Sequence, residues 1–331
     1  MLKNCCLAGE ILTFWDGYGF NVGKHKRIFR VPHNPSHGNS MNPLIHEFIQ
    51  LDGIETLSHF PNFILAVLAL VLIWISKKLF DFFTSYSLEV QLVKMDNKAI
   101  SIAFAGYLGG VVIVLEGALE GIYTSIWIEL LEISIWGLVG ILLLNLAGKM
   151  NDRLILRYFN NQKELLEKRN ISVGVTVAGS YLGSALIIRS IICGEPIGWI
   201  YEITLTIFYF LLGQLAFFLY SILYQKITSY DFHKEIESGN AAAGISFAMN
   251  LVSIGILLAI PIRTSYSLLF FAVWFILGSA VMAFFRFVLD RIIIPLEKLD
   301  EEIHKDQNWG VAILEGCFAI AAVIVLQTIF T

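Results

Sequence analysis

The sequence predicts an all-α integral membrane protein with eight transmembrane helices. They form two parallel four-helix repeats, each made of two helical hairpins. Three observations carry this. The chain is 56% apolar and 15% charged, with mean hydropathy +0.70, whereas a soluble domain is roughly 45–50% apolar and about 25% charged. Its apolar residues gather in stretches of ~20, which at ~1.5 Å per residue cross a ~30 Å hydrocarbon core. Finally, the stretch that begins at Asn97, NKAISIAFAGYLGGVVIVLEGAL, recurs at Asn170, Asn240 and Asn308 with its small residues in register.

The register is read from the Asn. Four positions on stand Ser101, Gly174, Gly244 and Ala312, and eight positions on stand Ala105, Ala178, Ala248 and Gly316. Small residues four apart share one helix face and let a neighbouring backbone come close.

Taken in order, residues 1–60 form an N-terminal tail unlike the rest. Residues 1–40 mix Gly, His, Pro and Asn with Lys3, Lys24, Lys26, Arg27 and Arg30, and lack the apolar core of a signal peptide. Two readings stand: a disordered tail, or an upstream extension that is not native, with Met41 as the biological start. The short amphipathic lead after Met41 favours the second. The first repeat, 61–193, holds spans at 61–80, 98–119, 126–148 and 171–193. The second, 198–331, holds spans at 198–224, 241–262, 266–288 and 309–330.

Long, charged loops alternate with short ones, so all the long loops share one side. That side and its flanks carry sixteen Lys and Arg, among them Lys77, Arg157, Lys226 and Arg286; the other carries only Arg189 and Arg263. The positive-inside rule then predicts cytoplasmic long loops and external termini. Trp127 and Trp199 suit an interfacial aromatic belt at the outer side, and Trp309 one at the inner side. Asp152-Arg153 and Asp290-Arg291 each stand eighteen residues before an Asn (Asn170 and Asn308). Spans 3–4 therefore match spans 7–8, as expected of a hairpin doubled and then doubled again. Units with even span counts keep one orientation, so the repeats are parallel.

A charged loop followed by N-x-A-x-x-x-x-x-A-G opening a small-residue helix resembles the bacterial inner-membrane family of domain of unknown function 350, here as two tandem copies. Asn97, Ala99, Ala105 and Gly106 carry the pattern in the first hairpin. Asn170, Ala178 and Gly179 carry it in the second, with Ser172 in place of the first Ala. Asn240, Ala242 and Ala248 carry it in the third, with Met249 in place of the Gly, and the fourth diverges to Gly310, Gly316 and Cys317. The resemblance implies a bacterial inner membrane and no established activity.

The sequence offers no soluble-enzyme chemistry: G-x-x-x-x-G-K-[ST], H-E-x-x-H, G-x-S-x-G and C-x-x-C do not occur. All seven histidines fall outside the spans, and Cys5, Cys6, Cys193 and Cys317 have no ligand spacing. The expectation is therefore no enzyme, no cofactor and no metal. Nor does a net charge of −4 without a basic stripe point to nucleic acid.

Intramembrane charge is the remaining signal, since it is costly and usually faces protein or water. Glu315 is acidic where the other repeats have Phe104, Val177 and Phe247. It reads either as an ion, solute or proton site or as a structural carboxyl bonded across helices. Glu116 and Arg189 both stand nineteen residues past their Asn, on the small-residue face at ~100° per residue; they read as an interhelical ion pair or an external gate. Asn97, Asn170, Asn240 and Asn308 read as helix N-caps or as a ring at an inner opening. Asn145, Gln214 and Asn250 suit interhelical hydrogen bonds. Glu120, Glu129, Glu132, Glu195 and Glu202 make the outer face acidic, through charge sorting or as a cation vestibule. Arg286–Ile303, a helical apolar stripe interrupted near Pro295, reads as a helix continuing onto the membrane interface or, as the alternative, docking a partner. The expected function is conduction or transport of an ion or small solute, as the whole machine or a subunit. The alternative is a scaffold that recruits a cytoplasmic enzyme through its basic loops. Expected partners are the lipid bilayer, a cytoplasmic protein and further copies in a homo-oligomer.

Overall fold

The structure, a computed structural model, describes residues 60–120, 125–193 and 198–330. The predicted tail as far as residue 59, Met41 included, and Glu195 lie outside the described residues. By contacts the chain divides after Val67, and the architecture below is that of the unit from Leu68 onward. The eleven α-helices among the described residues are α1 (Phe60–Phe83), α2 (Lys98–Leu119), α3 (Ile126–Leu154), α4 (Asn161–Leu166), α5 (Ile171–Ile192), α6 (Trp199–Ile227), α7 (Phe232–Ser238), α8 (Ala241–Thr264), α9 (Leu268–Val288), α10 (Leu299–His304) and α11 (Trp309–Phe330). Eight of them, all but the short α4, α7 and α10, are long and apolar enough to cross a membrane. The third and fifth spans run on to Leu154 and Ile227, because polar residues such as Asn151 and Gln225 extend the helix past its apolar end.

Each hairpin has one plan. A span ends at a polar residue that holds the start of the next short element. Asp81 Oδ1 accepts from Leu88 N at 3.2 Å, Asp152 Oδ1 from Asn161 Nδ2 at 2.8 Å, Gln225 Oε1 from Phe232 N at 3.3 Å and Asp290 Oδ1 from Leu299 N at 2.7 Å. A short helical turn follows (Val90–Lys94, α4, α7 or α10). One residue in the left-handed region then reverses the chain: Asp96, Arg169, Gly239 or Gln307, at φ 46°, 52°, 95° and 49°. Only Gly takes that conformation without side-chain strain. Next comes the Asn, and after it the second span.

The Asn joins three pieces of chain. Its backbone N–H closes the short turn by donating six or five residues back, from Asn97 to Gln91 O, Asn170 to Glu164 O, Asn240 to Glu235 O and Asn308 to Glu302 O. Its Oδ1 caps the following span, accepting from Ile100 N, from Ser172 and Val173 N, from Ala242 and Ala243 N, and from Gly310 and Val311 N. Its Nδ2 crosses to the short helix of the next hairpin. Asn97 donates to Leu165 O at 2.8 Å, Asn170 to Ile236 O at 2.9 Å and Asn240 to Ile303 O at 2.8 Å.

Those crossings line the Asn-led helices up side by side. α2 packs on α5, α5 on α8 and α8 on α11, all parallel, while α3, α6 and α9 each lie against two neighbours in that row. α1 joins through Tyr107 OH, which donates to Ser76 O at 3.0 Å. The row is the core: 78% of the apolar window of α5 and 72% of that of α8 are buried, against 28% for the span that includes α9. Small residues permit the closeness. A Cβ at Gly183 would lie 2.6 Å from Leu251 O, and one at Gly255 would lie 2.6 Å from Gly183 O. Beyond α9, a π-turn at Leu289–Ile293 ends the span. Leu289, Leu299 and Ile303 are buried there while Ile292, Ile293 and Leu296 are exposed, an apolar fringe suited to the membrane interface.

Two outcomes test this plan by unfolding in detergent micelles. Asn240→Ala loses a cap and an inter-hairpin bond and should cost about 2–3 kcal/mol, against about 1 kcal/mol for the exposed Asn308→Ala. Gly239→Ala should cost about 1 kcal/mol, the left-handed penalty of a Cβ.

Candidate functional site

Two charge clusters stand out, each built around one buried residue: Glu315 and Arg189. In the second half, Glu315 sits seven residues past Asn308, about 10 Å along the span at ~1.5 Å per residue. It is 2% exposed. The Ser246 hydroxyl of α8 donates to its Oε2, and Arg286 Nε of α9 donates to its Oε1 at 2.6 Å. Tyr224 OH of α6 lies 2.6 Å from Ser246 Oγ; since the Ser246 proton goes to Glu315, the Tyr224 hydroxyl is the donor. Arg286 Nη2 donates to Asp300 Oδ1 of α10 at 2.7 Å, and Asp300 Oδ2 accepts from Ser229 N at 2.8 Å. One unbroken chain of hydrogen bonds thus runs from the interior of α6 to the loop side and ties five helices together. Beside it, Tyr220 OH donates to Asn250 Oδ1 at 2.7 Å.

At its loop end, burial pushes the Asp300 carboxyl up, but the Arg286 guanidinium and the Ser229 N–H more than offset this and hold it below its usual range. A carboxyl lowered in the folded state stabilises it above the unfolded value of 3.8, and that contribution is lost as pH falls through the lowered one.

In the first half, Arg189 of α5 is 1% exposed. Its Nη2 lies 2.6 Å from Glu116 Oε1 and 2.5 Å from Glu120 Oε1. Cys193 Sγ donates to Glu120 Oε2 at 2.5 Å, and Arg263 Nη2 stands 3.9 Å from the same oxygen. This cluster lies at the end of the row opposite the Asn residues. Gly117 makes room for it, since a Cβ there would meet Arg189 Cγ at 2.7 Å.

The remaining candidates scatter. Asn145 Nδ2 donates to Tyr107 OH at 2.9 Å, whereas both polar atoms of the fully buried Gln214 lack a partner in the structure. Glu129 and Glu132 are half-buried on α3, and Glu202 Oε1 accepts from Gly198 N at 2.9 Å. Among the described residues, Glu297, Glu302 and Asp306 bring carboxylates within 4.8 Å of one another, but Glu302 already holds Asn308 Nδ2.

Sequence reasoning missed Arg286, Ser246, Tyr224 and Asp300. Arg286 counts among the loop-side bases, yet it turns inward to Glu315, and no spacing along one helix links residues on four different ones. Glu120 was legible: it stands one turn after Glu116, on the same face.

Removing one member of a buried pair strands the other, at ~3–5 kcal/mol, whereas replacing both by apolar groups is often neutral. Arg286→Met should therefore lower stability by about 3 kcal/mol, and Arg286→Met with Glu315→Leu should restore most of it in chemical unfolding. Asp300→Asn should flatten the acid limb of the stability–pH curve.

The profile described as Domain of Unknown Function (DUF350) matches residues 55–192 and 198–330. A curated relative, the UPF0719 transmembrane protein of Aquifex aeolicus (strain VF5), is 23% identical over 270 residues, covering 78% of this chain and 97% of the relative. No solved structure matches the chain significantly. With both halves matched and eight spans arranged as two repeats, the chain belongs to the DUF350 family of multi-pass transmembrane proteins, carrying that domain twice.

Proposed function

We propose that the protein moves protons across an inner membrane, alone or as a subunit of a larger transport machine. The basic long-loop side then faces the cytoplasm and both termini face outward, following the positive-inside bias. The observation that supports this is the buried Glu315 in the middle of a hydrogen-bonded chain leading to Asp300. Both Glu315 oxygens are already engaged, so a metal cation would have to displace Arg286 or Ser246. A proton needs only a lone pair, and it would cancel the charge that holds Arg286. Because Arg286 grips α10 through Asp300, a neutral Glu315 loosens α9 and α10 together. That links a protonation event to helix packing, as coupling requires. In the first half, Glu116, Glu120 and Arg189 serve as the packing lock at the outward end.

In proteoliposomes under an imposed pH gradient, proton flux should be present in the wild type and lost in Glu315→Gln. Equal flux in the variant, or none in the wild type, would sink the proposal.

A second reading, a platform that recruits a cytoplasmic protein, is favoured by one feature. An open cavity of about 630 Å³ on the loop side is lined by Arg157, Tyr158, Lys226, His233 and Lys234 together with Asp231, Glu237 and Leu154. A pull-down through the cytoplasmic loops that recovers a partner, lost in Arg157→Glu with Lys226→Glu, would favour it over transport.

A further inference from the structure

The row of parallel helices repeats one interface three times and then stops. At each interface, the residue nine past the Asn on one helix meets the residue eight past the Asn on the next: Gly106 on Ala178, Gly179 on Ala248, Met249 on Gly316. Lower down, the residue two past the Asn meets the one four past it, Ala99 on Gly174 and Ser172 on Gly244. Higher up, Gly110 meets Ala185 and Gly183 meets Gly255. Each helix therefore carries a leading face and a following face, distinct and complementary.

Both outermost helices keep their unused face. α11 presents the leading set, Gly310, Cys317 and Ala321, of which Cys317 and Ala321 are exposed. α2 presents the following set, Ser101, Ala105 and Val112, and Ala105 and Val112 are exposed although Ala178, Ala248 and Gly316 are buried at the equivalent positions. The polar crossing stops with them. Asn308 caps its own helix and bonds Glu302, but among the described residues it reaches no short-helix carbonyl beyond its own hairpin. The carbonyl equivalent to those of Leu165, Ile236 and Ile303 in the first hairpin belongs to Leu92.

We infer that α11 of one copy packs on α2 of a second copy, continuing the row from chain to chain, with Asn308 donating to the partner subunit's Leu92 carbonyl. The occupant is another copy of this chain because the two open faces are the two halves of an interface the chain already makes three times. Lipid tails would cover the same faces without using that register. All four row helices point the same way, so copies joined like this share one orientation in the membrane and differ by a rotation about its normal. Such a head-to-tail contact closes into a ring when the rotation divides a full turn. The inference stands on packing alone and is independent of proton transport.

The register names its own test. Cys317 is nine past Asn308 and Ala105 is eight past Asn97, so they should meet across the contact as Gly179 meets Ala248. In native membranes, with Cys5 and Cys6 changed to Ser, Ala105→Cys should form disulfide-linked dimers on mild oxidation. Adding Cys317→Ser should abolish them, and Phe284→Cys, at an exposed site on α9, should not replace Ala105→Cys. Absence of a Cys317-dependent dimer, or equal yields from Ala105→Cys and Phe284→Cys, overturns the inference. As a second measurement, the wild type in nanodiscs should have the mass of two or more chains and Ala105→Trp a smaller mass with unchanged helix content; a wild-type mass of one 37.2 kDa chain overturns it as well.

Discussion

A carboxamide at the mouth of each second span is the constraint on which the architecture rests. An amide offers two donors and one acceptor with two lone pairs, and at Asn97, Asn170 and Asn240 its two ends face different hairpins. The acceptor satisfies N–H groups that every helix leaves open at its start, and the donor fills a carbonyl that the next short helix leaves open at its end. Asp could supply the first bond but not the second; Ser would be too short to span the gap. Because Asn97, Asn170 and Asn240 are buried, leaving either end unmet would carry a desolvation cost. The relative height of successive helices is therefore fixed at one end by hydrogen bonds and along their length by glycine and alanine contacts.

The two halves share this frame but place their charges differently. Arg189 draws Glu116 and Glu120 together at the end away from the Asn residues, whereas Arg286 draws Glu315 and Asp300 together near the Asn end. Buried ion pairs add little net stability compared with apolar packing. Their placement marks where the halves have diverged within a common fold. In the second half the cluster joins central and peripheral helices alike, so its charge state bears on the packing of that whole half.

Much of the frame was legible in the sequence. Length, apolar content and the spacing of small residues behind Asn97, Asn170, Asn240 and Asn308 all reflect local or one-helix geometry, which a linear string preserves. Glu116 and Arg189 share one repeat position, so a face argument places them near each other. The inward turn of Arg286 was hidden, because a base near a span end looks the same in sequence whether it faces water or a carboxylate. Ser246 was hidden for a related reason: a hydroxyl among Gly and Ala reads as one more small residue. The left-handed turns at Asp96, Arg169 and Gln307 were also unreadable, since only Gly239 uses the residue type that announces such a turn.

The serial stacking of hairpins has an evolutionary corollary. Each unit in the row bonds mainly to its immediate neighbours, so folding stability accumulates unit by unit along the array, much as in soluble solenoids. A gene could gain or shed one hairpin without redesigning the others, provided the new ends remain tolerable to lipid. Such an array is open to change one pair of spans at a time, which keeps every helix pointing the way it did before.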